Sequence, residues 1–116
     1  MNSIARWSVA TLALCGAAFH PQVSASEEFD GSKFLKWSKA SQTAYLQNSI
    51  VMAMTVSSRM SEAHSTCISE WFFDADGFRD GREEGLRQSI SQYSDYHPGG
   101  IIVAVIEREC GEFGQN

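Results

Sequence analysis

Proline and cysteine are scarce in this chain of 116 residues, at two and three copies. That scarcity excludes collagen-like, Pro-rich and knottin-like classes. Positive charge is also short: 9 basic residues stand against 14 acidic ones, for a formal net charge of −5. Nucleic acid is therefore not an expected partner, because phosphate contact needs a dense cationic surface. The sequence carries no Gly-rich phosphate loop, Ser-His-Asp order, paired-carboxylate cleft or cofactor fingerprint, so neither enzyme activity nor a cofactor is expected. Internal repeats and low-complexity tracts are missing too. What remains is 43% hydrophobic and 20% charged, ordinary for one folded domain.

Residues 1–25 read as a secretory signal. Arg6 supplies the cationic start, Trp7 through Phe19 an apolar stretch, and Val23-Ser24-Ala25 a cleavage site before Ser26. The apolar stretch is too short to span a bilayer. Leu12-Ala13-Leu14-Cys15 resembles a lipobox but places Leu14 where a small residue should precede the cysteine. The expectation is a soluble periplasmic chain, residues 26–116, with no membrane span. Cleavage removes Cys15 and leaves Cys67 and Cys110. An even pair in an oxidising compartment predicts a disulfide, which in the chain-entropy model contributes roughly 3 to 4.5 kcal/mol.

The remaining pattern is helical almost throughout, predicting an all-α bundle of four to five helices stapled by Cys67–Cys110. Asp30 or Ser32 caps a short first helix carrying Phe34, Leu35 and Trp37. Ser38 or Ser41 opens the longest helix, which runs to about Met60 with Leu46, Ile50, Ala53, Met54 and Ser57/Ser58 on one face. Its nearly continuous apolar run from Ile50 to Val56 predicts burial on more than one side. A third helix, Ala63 to Phe73, turns Cys67, Ile68, Trp71 and Phe72 inward, and Asp74-Ala75-Asp76-Gly77 breaks it. Asp80 with Glu83 makes a capping-box-like start to a fourth helix. Leu86, Ile90 and Tyr93 form its inner face, and Arg82, Glu83, Arg87 and Gln88 its wet face. Pro98 opens a last helix that buries Ile101, Ile102, Val105, Ile106 and Cys110 and stops at Gly111.

Three groups of residues carry chemistry worth weighing. Cys67 with His64 or His97 has the makings of a thiol nucleophile, but pairing with Cys110 removes the thiolate. His64, Cys67, His97 and Cys110 lack the compact second ligand pair of a zinc site, so no metal is expected. Asp74-x-Asp76-Gly77-x5-Glu83 matches the later part of a calcium loop. Phe72, however, falls at the first ligand position and Arg79 where an aliphatic belongs, leaving an acidic interhelix turn capped by Asp80. Around that turn, Phe73, Asp74, Asp76, Phe78 and Asp80 form a candidate partner-binding patch. The alternative, a turn folded back on itself, stays open. Tyr96 and His97 make a second candidate rim, with helix capping as their other reading.

Gly31-x-x-Phe34-Leu35, Tyr45-Leu46, Cys67-Ile68, then Leu86, Ile90 and Tyr93, His97-Pro98 and a terminal Cys110 form an ordered set of landmarks. The set resembles the Rap/Tai-type periplasmic immunity proteins over most of residues 31–110. The chain departs from that pattern at Trp37-Ser38, Cys67-Ile68-Ser69 and Arg108-Glu109. The resemblance implies that the chain is a non-catalytic binding protein whose partner, a type VI secretion effector, it neutralises in the periplasm. By size, export and single disulfide the chain is also similar to HdeA/HdeB-type acid-stress chaperones. Self-association as a homodimer is left open by the sequence.

Overall fold

The computed structural model describes residues 28–114, so the signal assigned to residues 1–25 lies outside the described residues. Within them the chain is mostly helical: α1 (Gly31–Leu35), α2 (Lys39–Ser58), α3 (Glu62–Phe72), α4 (Arg82–Gln92) and α5 (Pro98–Cys110). A small antiparallel hairpin, β1 (Phe73–Asp74) and β2 (Gly77–Phe78), separates α3 from α4. The all-α bundle read from the sequence is the observed fold, with this hairpin in place of a plain turn.

Side chains that favour helix starts set most boundaries. Asp30 Oδ1 accepts from Lys33 N at 3.0 Å, Ser38 Oγ from Ser41 N at 3.2 Å, and Ser61 Oγ from His64 N at 3.2 Å. Each bond satisfies a first-turn N–H that has no partner within the helix. Pro98 occupies the first turn of α5, where its missing N–H costs nothing, and His97 Nδ1 accepts from Gly99 N. Gly111, at φ +88°, ends the helix. The start of α4 corrects the sequence reading. Asp80 does not cap it: the N-cap is Gly81 in the left-handed region, with φ +81°, and no side chain closes the turn. A backbone bond from Arg82 N to Arg79 O at 3.0 Å shapes the start instead, while Glu83 and Glu84 favour the positive end of the helix dipole.

The core gathers Phe34, Leu46, Ile50, Ile68, Phe72, Leu86, Ile90, Ile102, Val105 and Ile106, with contributions from all five helices. α1 is held onto the end of α4 by Gly31 N bonded to Tyr96 O (3.0 Å) and Ser32 N bonded to Ser94 O (3.1 Å). Gly31 is required by that approach, since a Cβ there would lie 2.8 Å from Ser94 Cα. Cys67 and Cys110 form the expected disulfide, with Cα atoms 5.8 Å apart across a 43-residue separation. It joins the middle of α3 to the end of α5.

Four further expectations are overturned. α2 is buried along Gln42, Leu46, Ile50 and Ser57 only, and Val51, Met52 and Val56 are exposed. The neighbouring elements cover one side of a helix that has apolar residues on two. Trp37 follows α1 rather than belonging to it, and its half-exposed ring stacks on Phe29 at 5.0 Å. Tyr93 is exposed because α4 ends at Gln92 and the backbone turns away. Arg87, expected in water, is instead only 11% exposed. Its Nε donates to Gln42 Oε1 at 2.9 Å, and Nη2 to Thr43 Oγ1 and Glu83 Oε1 at 2.9 and 3.1 Å. Gln42 Nε2 in turn donates to the carbonyls of Leu35 and Trp37, so one polar network ties α1, α2 and α4 together. Charge-assisted bonds of this kind are stronger than neutral ones, which offsets burying the guanidinium.

Candidate functional site

The groups that suggested chemistry are occupied structurally. Disulfide formation takes the Cys67 sulfur. His64 is buried, with Nδ1 2.5 Å from Ser57 Oγ and Nε2 2.7 Å from the carbonyl of Gly111. A carbonyl only accepts, so Nε2 carries the proton and Ser57 donates to Nδ1. Phe113 covers the ring edge-on at 4.8 Å. Ser57 is itself buried, so this Ser–His pair faces the core rather than a substrate. His97 caps α5 and packs edge-on against Phe29. Among the described residues, no three His, Cys, Asp or Glu side chains converge where they could hold a metal ion.

The residues of the candidate partner patch are divided by the hairpin. Phe73 pairs with Phe78 across the two strands, their half-buried rings 4.9 Å apart and packed on the core. Asp74, Asp76 and Asp80 are exposed, and Asp74 Oδ1 accepts from Asp76 N at 2.9 Å across the two-residue loop. Gly77, at φ +123°, returns the chain where a side chain would strain it. The aromatics thus anchor the turn, and the carboxylates crown it.

A groove between α4 and α5 escaped the sequence reading. One hollow of ≈ 370 Å³ is lined by Tyr93, Tyr96, Ile101, Ala104, Val105, Ser89 and Arg108. Ser89, Val105 and Arg108 also line a second hollow of ≈ 270 Å³, together with Trp71, Gly81, Arg82 and Gly85. The two hollows thus lie side by side along the same pair of helices. Gly81, Gly85 and Ser89 recur every four residues along the groove, and a Cβ on either glycine would meet nothing within 4 Å, so the space beside them is unfilled. That spacing was the available sequence signal. Tyr96 is 64% exposed at one end, and at the other Arg82 lies 3.6 Å from the centroid of the Trp71 ring. Tyrosine, tryptophan and arginine around an apolar floor are the residue types that dominate binding energy at protein interfaces.

Phe29, Phe34, Trp37 and Tyr45 form an aromatic cluster, with ring centroids 5.0–5.8 Å apart. Burial raises the Tyr45 hydroxyl above its usual pKa of 10.0, while hydrogen bonds to Ser49 and the Gly99 backbone pull it the other way. None of the helices among the described residues is long and apolar enough to cross a membrane. The chain matches no known family, and neither the curated proteins nor the solved structures contain a significant match to it.

Proposed function

We propose that this chain is an exported, non-catalytic binding protein of the periplasm, and that its partner is a secreted effector of the kind immunity proteins neutralise. The observation that carries the binding role is the groove between α4 and α5, rimmed by Tyr93, Tyr96 and Arg108 and continued by Trp71 and Arg82. Exposed tyrosines beside an arginine over an apolar floor supply anchors for a protein partner. The exposed carboxylates of Asp74, Asp76 and Asp80 add negative charge that favours a partner with a basic edge and speeds the encounter. The disulfide agrees with work outside the cytosol, and the order of landmarks from Gly31 to Cys110 supports the immunity role.

The test is capture from envelope extracts with the processed protein, followed by identification of what is retained. Tyr96→Ala with Arg108→Ala should weaken retention about tenfold or more, since central anchors each contribute above about 1 kcal/mol. Substituting Asp74 and Asp76 by Asn should instead slow association and reduce its salt dependence. Deleting the gene should sensitise the cell to toxin-bearing neighbours. Unchanged fitness together with no retained effector defeats the immunity role, and retention untouched by the groove variants defeats the site.

A further inference from the structure

We infer that the uncovered face of α2, with the first turns of α5, is the surface on which a second copy of this chain docks. Between residues 40 and 58 there is no Asp, Glu, Lys or Arg, and none again between 98 and 106. A helix side turned to water normally carries charge, and α2 carries none there. Instead Val51, Met52 and Val56 are exposed on it, Met52 at 63%, and Val103 is exposed on α5. Between the two helices runs a hollow of ≈ 500 Å³ walled by Tyr45, Asn48, Ser49, Met52, Gly99 and Val103, with Ala53 and Ile102 also lining it.

Charge selects the occupant. The chain has 14 acidic and 9 basic residues, so two copies repel wherever their acidic surfaces meet. This neutral face lets them meet without setting carboxylate against carboxylate. An uncharged apolar patch is also its own complement, as a two-fold interface requires. Depletion of charge with methionine at the centre is the composition of an interface core.

The area fits a reversible pair. At 1.5 Å per residue the 20 residues of α2 extend about 30 Å, and the charge-free start of α5 doubles a face about 10 Å wide over roughly half of that length. That gives about 450 Å² per copy and about 900 Å² for a pair, the size of a weak, reversible contact. Met52 lines the hollow between the two helices, and its flexible thioether adapts to the copy opposite.

The experiment is sedimentation of the processed protein across the micromolar range. The result expected is a reversible dimer, with a dissociation constant raised about tenfold or more by Met52→Glu and by Val103→Glu, because each puts like charges into the interface twice. Both positions are exposed, so circular dichroism should show unchanged helix content. Tyr96→Glu, on the α4–α5 groove, should leave the dimer intact. A wild-type chain that stays monomeric at high micromolar concentration overturns the inference, as does a dimer indifferent to Met52→Glu. The readout is mass in solution, so loss of effector binding through the groove leaves this result untouched.

Discussion

Nε2 of His64 donates to the carbonyl of Gly111 at 2.7 Å, one residue beyond the cysteine to which Cys67 is bonded. Two links of different chemistry therefore join α3 to the end of α5, a helical turn apart. The hydrogen bond continues through Nδ1 to Ser57 on α2, so three helices converge on one imidazole. No buried side-chain nitrogen or oxygen among the described residues lacks a partner, and this chain of bonds is one reason.

Breaking that chain at either member leaves polar atoms of the other unpaired, so the two losses should overlap. Ser57→Ala leaves Nδ1 without its donor, and His64→Leu strands both the Ser57 hydroxyl and the Gly111 carbonyl. Each should destabilise the fold by about 1–3 kcal/mol, the penalty of a buried polar group left unpaired. The double variant should fall short of the sum by about 1 kcal/mol. Urea denaturation of all four proteins checks this, and strict additivity would show that the pair is not energetically coupled.

Reducing Cys67–Cys110, or replacing both by Ser, removes the constraint on a 43-residue segment and should cost about 2–4 kcal/mol. The His64–Gly111 bond still ties the same helices, so the reduced protein should keep its helical circular dichroism in buffer and differ in denaturant midpoint. Combining reduction with His64→Leu should unfold it, because a small domain has only about 5 kcal/mol to lose. Retained cooperative unfolding in that doubly weakened protein would contradict this.

The helices were legible in the sequence because caps and apolar spacing act locally. Asp30, Ser38, Pro98 and Gly111 each mark a boundary that depends only on neighbours within a turn. The cysteine pair was legible because only two thiols follow the expected cleavage site. Burial was less readable, since it depends on which elements lie alongside. The run from Ile50 to Val56 has the hydrophobicity of a central helix, yet nothing among the described residues covers Met52. Arg87 reads as a surface charge and turns inward because Gln42 and Thr43, 45 and 44 residues away, supply its acceptors. The groove required knowing that α4 and α5 are neighbours before the small residues at positions 85, 89 and 104 acquired a meaning.

Glycines 31 and 85 should respond oppositely to one methyl group. A Cβ on Gly31 meets Ser94 Cα at 2.8 Å and the Ile90 side chain at 3.0 Å, both fixed parts of the α1–α4 junction. Gly31→Ala should therefore cost about 1–3 kcal/mol by overpacking. Gly85 lies inside α4, and a Cβ there touches nothing within 4 Å. Gly85→Ala should stabilise by about 0.5–1 kcal/mol through helix propensity and a less flexible unfolded chain. Thermal melts of the two variants should move apart, and a shift in the same direction would refute the steric account.

Tyr45 gives a pH dependence whose sign follows from its surroundings. Burial favours the protonated phenol, so the folded pKa lies above the 10.0 of the free side chain. The folded protein then holds this proton more tightly than the unfolded chain. The contribution is fully present below about pH 10 and is lost as pH rises through the higher folded pKa. Tyr45→Phe removes the hydrogen bonds with Ser49 and the Gly99 backbone and should cost about 0.5–1.5 kcal/mol near neutrality. It also removes the titration, so the gap between wild type and variant should narrow above about pH 10. Denaturation midpoints from pH 7 to 11 test both halves at once, and curves that stay parallel throughout would mean that the phenol ionises equally well folded and unfolded.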